Sequence, residues 1–240
     1  MTRKASQPRL AVITGGGQGI GLAAARGFAH AGFSVVIAGR NESRLQAAAA
    51  ELQRDKAQVV VQRCDVTDPV SVEKLFAWVR EQHAAIDVLF NNAGVAHAGA
   101  SVDKLAIADW TRVIDTNLTG VFLVTRSALP LMRAGATIVN NLSVAATHSF
   151  PGMSAYNASK AGALGFTNVL REELRKRGIR VLALLPGAVD TEIWNQFWPD
   201  APKEKMLSPQ TVAEAVLHAV SAPAEATIEE IRIGPTSGIL

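Results

Sequence analysis

Cysteine, strong net charge and long apolar runs are all scarce in this 240-residue sequence. Cys64 is the only cysteine, so no internal disulfide can form and a reducing compartment is expected. The 24 basic and 21 acidic residues leave a dispersed net charge of +3, which argues against nucleic acid as a partner. No apolar run reaches the roughly 18 residues of a membrane span, and Met1–Arg9 is polar, so we expect a cytoplasmic protein without a signal peptide.

Hydrophobic residues make up 48% of the chain, enough for one domain with a substantial core. Short apolar runs alternate with amphipathic stretches throughout, with no repeat and no polar linker. This alternation predicts an α/β fold, a Rossmann-type doubly wound sheet of about seven parallel strands with helices on both faces. We expect a single domain over residues 1–240, with residues 1–8 as a flexible tail and residues 192–208 as a substrate lid.

A glycine-rich turn follows the first apolar run, Leu10–Ile13. It reads Thr14-Gly15-Gly16-Gly17-Gln18-Gly19-Ile20-Gly21 and leads into an alanine-rich stretch, predicted to be a helix over 22–31. Glycines let the backbone approach a pyrophosphate, and a helix N-terminus offers free N–H groups to it. The order of strand, turn and helix favours a dinucleotide site, and a tight turn without a ligand is the alternative.

The second predicted strand ends at Gly39-Arg40, about 20 residues beyond the glycines, where such units face the adenosine ribose. An acidic residue there would bind the 2′-hydroxyl. Arg40 instead suits a 2′-phosphate through charge-assisted hydrogen bonds, so we predict NADP in preference to NAD. The alternative is that Arg40 is merely exposed in a turn.

Residues 105–133 are predicted to form one long helix that contains Asn117, and a fifth strand is expected over 136–142. Asparagine is a poor residue for a helix interior, because its amide competes for backbone groups. Asn117 therefore indicates a local distortion with a purpose, or alternatively a capping or packing role.

Tyr156 is the only tyrosine, and Lys160 follows it by four residues on a predicted helix. Residues at this spacing share a helix face, and an ammonium group beside a phenol favours the phenolate. The pair can therefore supply a proton donor or acceptor near neutral pH. A helical tyrosine followed by a solvated lysine is the alternative from this pair alone.

Together these motifs resemble the short-chain dehydrogenase/reductase family from about Leu10 to Thr236. The carrying segments are the glycine turn, Asn91-Asn92-Ala93-Gly94, Ser143 thirteen residues before Tyr156, the Tyr-x-x-x-Lys pattern, and Pro186-Gly187 with Thr191. The resemblance implies hydride transfer between a nicotinamide and a carbonyl or secondary alcohol, with Tyr156 as general acid or base. It also implies a homodimer or homotetramer that pairs through the helices holding Asn117 and Tyr156.

The resemblance assigns further roles. Lys160 would bind ribose hydroxyls and lower the pKa of Tyr156, Ser143 would bind the substrate oxygen, and Asn117 would hold a water linked to Lys160. Asp65 would accept a hydrogen bond from the adenine. The full set of cofactor-binding residues would be Thr14, Gly15, Gly17, Gln18, Gly19, Ile20, Gly21, Arg40, Asp65, Val66, Asn92, Ala93, Gly94, Tyr156, Lys160, Pro186, Gly187, Val189 and Thr191.

One segment departs from the family pattern. The strand before Ser143 ends in Asn140-Asn141-Leu142, where family members more often carry an apolar residue and then a serine. The change places an amide near the edge of the sheet and removes a hydroxyl.

The segment 192–208 is rich in aromatic residues, although aromatics are only 5% of the chain. We predict a pocket for an apolar or aromatic carbonyl compound, with no metal; its lining would include Ser143, His148, Phe150, Tyr156, Trp194 and Trp198. These aromatics could instead pack the lid on the body or fill a subunit contact. Two other functions stay open, a non-catalytic NADP-binding regulator and an epimerase or dehydratase.

Overall fold

The computed structural model describes residues 8–54 and 57–238, and these residues contain one seven-stranded parallel sheet. The strand order is β3-β2-β1-β4-β5-β6-β7. This confirms the predicted doubly wound fold. The tail predicted for residues 1–8 lies outside the described residues except for Pro8.

Helices and strands alternate along the chain. The strands are β1 (Leu10–Thr14), β2 (Ser34–Gly39), β3 (Val59–Arg63), β4 (Ile86–Asn91), β5 (Met132–Asn141), β6 (Arg180–Pro186) and β7 (Glu230–Ile233). The helices are α1 (Gly19–His30), α2 (Glu42–Arg54), α3 (Pro69–Gln82), α4 (Ile107–Ile114), α5 (Gly120–Ala128), α6 (Ser154–Arg175) and α7 (Pro209–Val220).

The central strands are buried on both faces, which is why they read as nearly continuous apolar runs. One core packs the sheet against α1, α2 and α7 around Phe28 and Ile37. The other packs the opposite face against α3, α5 and α6 around Phe76 and Leu170. Strand order reverses between β1 and β4, so their carboxyl ends diverge and open the crevice in which such sheets bind ligands.

The predicted long helix over 105–133 is wrong as a single element. The structure has α4, then a π-helical turn over Asp115–Thr119, then α5 and a short 3₁₀ segment over Leu129–Leu131. The π turn lies at Asn117, where the sequence predicted a distortion. Strand β5 also begins at Met132 rather than Ala136, because a bulge lets Met132 pair with β4 before the regular register resumes.

Candidate active site

One cavity of about 550 Å³ lies at the carboxyl ends of the central strands. It extends from the glycine-rich turn after β1 to Ser143 and Tyr156, beyond β5. The cavity therefore brings together side chains that lie far apart in the sequence, because parallel strands all end at the same edge of the sheet.

The glycine-rich turn is shaped for close approach by a ligand. Gly15 and Gly19 have φ values of +64° and +52°, which side-chain-bearing residues rarely adopt. A Cβ at Gly21 would lie 2.3 Å from the carbonyl oxygen of Gly15, so α1 can pack on the turn only with glycine there. Gln18 caps α1 without a side-chain hydrogen bond, which leaves the first N–H groups of the helix for an anion. These features fit the pyrophosphate of a dinucleotide.

The far end of the cavity is basic. Arg40 and Arg44 both line it, and Arg44 also pairs with Glu192 at an N–O distance of 3.0 Å. Asp65 and Val66 line the same end, with Asp65 accepting hydrogen bonds from the backbone and hydroxyl of Thr67. This end therefore offers cations to a phosphate and a carboxylate to a hydrogen-bond donor.

Cys64 lies beside Asp65 at this end and is almost fully buried. Burial is the main cause that raises the pKa of its thiol to about 11, which a hydrogen bond with Ser71 partly offsets. The thiol therefore stays protonated and unreactive at neutral pH.

Tyr156 and Ser143 meet at the opposite end. Tyr156 lies in the first turn of α6, and Ser143 follows β5, where its hydroxyl accepts a hydrogen bond from the backbone N–H of Ala145 at 3.1 Å. Burial raises the pKa of Tyr156, while its hydrogen bond with Ser143 acts in the opposite direction. The phenol is therefore protonated at neutral pH and can donate a proton.

Lys160 is buried one turn after Tyr156. Its ammonium group donates a hydrogen bond of 2.9 Å to the carbonyl oxygen of Asn141 and lies 5.6 Å from the centroid of the Tyr156 ring. Burial lowers the pKa of Lys160 to about 8. Lys160 thus lies close to Tyr156, and its role toward ribose hydroxyls stays a prediction. The predicted lowering of the Tyr156 pKa is not seen in the protein alone, because burial of the phenol raises it more than the hydrogen bond with Ser143 lowers it.

Asn117 stands behind the cavity and does not line it. Its side-chain N–H groups donate to the carbonyl oxygen of Val95 and to the hydroxyl of Ser159, and its Oδ1 accepts from the N–H of Val95. Both donors are therefore engaged by the protein, and the water expected at Asn117 stays a prediction. A Cβ at Gly94 would lie 3.4 Å from this Oδ1 and 3.7 Å from Nζ of Lys160, which shows how closely the three residues approach.

Part of the segment 192–208 lines the cavity. The indole N–H of Trp194 donates to the carbonyl oxygen of Val189 at 2.8 Å, and the Trp194 ring contacts Phe197 and Trp198. The side chain of Gln196 accepts a hydrogen bond from the backbone of Ala96. Trp194, Phe197 and Trp198 all line the cavity, so the aromatic cluster both packs the segment and forms a wall.

Most of the predicted site residues line this cavity, and four do not. Thr14 is buried under the turn, where its hydroxyl accepts from the N–H groups of Asn92 and Ala93. Gly21 serves the packing of α1, and Asn117 lies behind Gly94. His148 is exposed, with its ring against Phe150 at 5.0 Å, so we correct its assignment to the cavity wall.

Several residues that line the cavity were left out of the predicted binding residues, and three of them are polar or aromatic side chains of interest. Arg44 lies one turn into α2 and follows Arg40 by four residues, a spacing that could have indicated it. Asn141 was recognised only as a departure from the family pattern. Phe197 belongs to the aromatic segment from which Trp194 and Trp198 were selected, so composition alone could not separate the three.

Comparison with known proteins agrees with this geometry. Residues 9–202 match the family model described as short chain dehydrogenase. An uncharacterized oxidoreductase of Staphylococcus aureus is 34% identical over 95% of this chain and 97% of its own. A protein of Chromohalobacter salexigens named sulfoacetaldehyde reductase 2 is 37% identical over 95% of this chain and 94% of its own.

A solved structure is also similar. The alcohol dehydrogenase of Thermococcus sibiricus, in complex with 5-hydroxy-NADP, has a TM-score of 0.90 and 29% identity, covering 97% of this chain and 98% of its own. The chain therefore belongs to the short-chain dehydrogenase family. It is an oxidoreductase that uses a nicotinamide dinucleotide.

The buried lysine generates a prediction about stability and pH. The pKa of Lys160 is about 8 when folded and 10.5 when unfolded, so the unfolded chain binds the extra proton between these values. Its protonation opposes folding below pH 8, and this cost disappears as the pH rises to 10.5. We expect the wild type to gain on the order of 3 kcal/mol over a Lys160→Met variant across this interval. Urea unfolding of both proteins at several pH values measures this gain. A difference in the free energy of unfolding that stays constant across this pH interval would contradict the prediction.

Proposed function

We propose that the protein is an NADP(H)-dependent carbonyl reductase, or alcohol dehydrogenase in reverse, with Tyr156 as its general acid or base. The observation that carries the proposal is the shared cavity. It joins a pyrophosphate-shaped turn and two arginines at one end to the hydroxyl pair of Ser143 and Tyr156 at the other. Reduction of a carbonyl requires both a site for the dinucleotide and a proton donor. The two must be close enough for one bound dinucleotide to reach from the arginines to the hydroxyl pair.

The chemistry follows from where charge develops. The cofactor supplies a hydride to the carbonyl carbon when bound, so negative charge builds on the carbonyl oxygen. Tyr156, protonated at neutral pH, donates a proton to that oxygen, and Ser143 donates a hydrogen bond to it. Lys160 holds a positive charge behind Tyr156 and offers its remaining N–H groups to ribose hydroxyls. In the reverse reaction, the oxidation of an alcohol, Tyr156 accepts the proton of the alcohol hydroxyl.

The basic end of the cavity supports NADP over NAD. Two guanidinium groups, from Arg40 and Arg44, can form charge-assisted hydrogen bonds with a 2′-phosphate. No carboxylate follows Gly39 to bind a 2′-hydroxyl, since Arg40 and Asn41 come next.

The Tyr156 end supports a small apolar or aromatic carbonyl substrate under a lid formed by residues 192–208. Phe150, Trp194, Phe197 and Trp198 form its wall. Apart from Lys160, the cations among the described lining residues are Arg40 and Arg44, which lie at the opposite end. The sulfonate in the name of the Chromohalobacter relative would therefore meet no free cation here, so we favour uncharged ketones and aldehydes.

A homo-oligomer is part of the proposal. Trp110 on α4, Phe122 on α5 and Val169 on α6 are exposed apolar side chains on helices that pack together, and Phe122 contacts the ring of Phe166. Such a face suits a second copy of the chain.

Among the described residues no helix is long and apolar enough to cross a bilayer. We keep the cytoplasm as the proposed compartment, on the single buried thiol.

The catalytic assignment is tested with Tyr156→Phe, which removes only the phenolic hydroxyl. We expect NADPH-dependent reduction of a carbonyl panel to fall by about 10²–10⁴, the usual contribution of a positioned general acid. NADPH affinity, measured by fluorescence titration, should stay near the wild-type value. Wild-type turnover in the variant would refute the role of Tyr156. A wild type that binds NADPH but reduces no compound of a broad panel would favour the regulator.

The cofactor preference is tested with Arg40→Ala and Arg44→Ala. Each change removes a charge-assisted contact, so we expect the KM for NADPH to rise roughly 10- to 100-fold while the KM for NADH changes little. Arg80→Ala, at an exposed position on α3, is the control. Equal effects on both cofactors, or equal wild-type efficiency with NADH and NADPH, would count against the preference.

The oligomer is tested with Phe122→Asp, which places a charge in the apolar face. Light scattering should give the wild type a mass of two or four times 25.4 kDa, and the variant a smaller mass. Val102→Asp, at an exposed loop position, should keep the wild-type mass. A monomeric wild type would remove this part of the proposal.

A further inference from the structure

Asn141, at the end of β5, is the polar residue that stands where the family pattern favours an apolar one. Its side-chain N–H donates a hydrogen bond of 2.9 Å to Oδ1 of Asn92. Asn92 in turn donates to the carbonyl oxygens of Thr14 and Gly15, each at 3.1 Å. The amide of Asn141 is thereby fixed against the base of the glycine-rich turn.

The backbone of the same residue holds the catalytic lysine. The carbonyl oxygen of Asn141 accepts the 2.9 Å hydrogen bond from Nζ of Lys160. Asn141 therefore lies between the turn that fits the pyrophosphate and the group expected to bind the nicotinamide ribose. Asn92 and Lys160 both line the cavity, as Asn141 does.

The other side-chain atom of Asn141 has no partner. Its Oδ1 is buried and accepts no hydrogen bond from the residues that the structure describes. Buried acceptors are rarely left in this state, because they lose their hydration without gaining a bond. The bond from Nδ2 to Asn92 fixes which end of the amide is the free one, so the unpartnered atom is an acceptor.

The neighbouring residues indicate which ligand group would supply the missing hydrogen bond. In the cavity wall Asn141 is followed by Leu142 and Ser143, and Lys160 lies against its backbone. Arg40 and Asp65 line the opposite, adenosine end. The nicotinamide-riboside half of a dinucleotide carries hydrogen-bond donors of its own, in the ribose hydroxyls and the carboxamide N–H groups.

We propose that Asn141 is a cofactor-binding residue whose Oδ1 accepts a hydrogen bond from the nicotinamide-riboside half of the bound dinucleotide. This inference rests on the proposed function, since it places the nicotinamide half at the Tyr156 end. It adds a contact that the apolar residue of the family pattern could not make, because such a residue has no acceptor to offer.

The preceding residue provides a matched control. Asn140 is a fully buried amide on the other face of β5, where it accepts from Asn91 at 2.8 Å and donates to Thr167 at 2.9 Å. It does not line the cavity. Loss of this amide should lower the free energy of unfolding, because Asn91 and Thr167 would each be left without this hydrogen-bond partner. It should have no direct effect on cofactor binding.

The experiment measures the affinity of Asn141→Leu and Asn141→Ser for NADPH and for 2′,5′-ADP, which carries only the adenosine half. Leucine conserves volume without an acceptor, and serine is too short to place its hydroxyl at the site of Oδ1. We expect the Kd for NADPH to rise about tenfold in both variants, the effect of one lost hydrogen bond. The Kd for 2′,5′-ADP should stay within about twofold. Calorimetric titration gives both values, and thermal unfolding checks folding.

Three results would overturn the inference. The variants could bind NADPH as the wild type does, or lose affinity equally for NADPH and 2′,5′-ADP. In the third result, the leucine variant loses affinity for NADPH and the serine variant does not, which would indicate crowding by leucine rather than a lost acceptor. Asn140→Ser should unfold at a lower temperature and keep its NADPH affinity, and a tenfold loss there would show a general structural effect. A wild type that binds no dinucleotide would instead refute the proposed function.

Discussion

The arrangement of the site depends on a buried ammonium group that needs hydrogen-bond acceptors. Lys160 is only 5% exposed, and burying a cation is costly unless its N–H groups find acceptors. The carbonyl oxygen of Asn141, the last residue of β5, supplies one such acceptor. The same strand end then delivers Ser143 to Tyr156. The location of the site thus depends on where β5 stops pairing.

Hydrogen bonds between amide side chains connect this strand end to the rest of the sheet. On one face Asn140 links Asn91 of β4 to Thr167 of α6, and on the other Asn92 links Asn141 to the turn after β1. Both pairs cross between β4 and β5, next to the crevice. Such networks specify a structure only when their groups are satisfied. Among the described residues, Oδ1 of Asn91 and Oδ1 of Asn141 accept no hydrogen bond, and of these two residues only Asn141 lies in the cavity wall.

The sequence predicted the fold well because alternation of strand and helix leaves few topologies for a parallel sheet. Most of the motif residues line one cavity for a related reason, since parallel strand ends converge on one edge. The failures were local. The break at Asn117 was expected, but its form as a π turn was not, and the Asn117 side chain bonds Val95 and Ser159, which are distant in sequence. His148 follows Ser143 by only five residues, yet the 3₁₀ turn over Val144–Ala146 directs its ring to solvent.

The protonation of Tyr156 also could not be read from the sequence. The spacing to Lys160 indicated a lowered pKa, but burial of the phenol raises it in the protein alone, and the hydrogen bond with Ser143 offsets only part of that effect. A protonated phenol can donate to a carbonyl oxygen without any prior ionisation, whereas its use as a base requires the phenolate that burial disfavours. With Tyr156 as the proposed acid, the folded site is prepared for reduction at neutral pH. Oxidation should become effective only as the pH rises, because the phenolate form then becomes accessible.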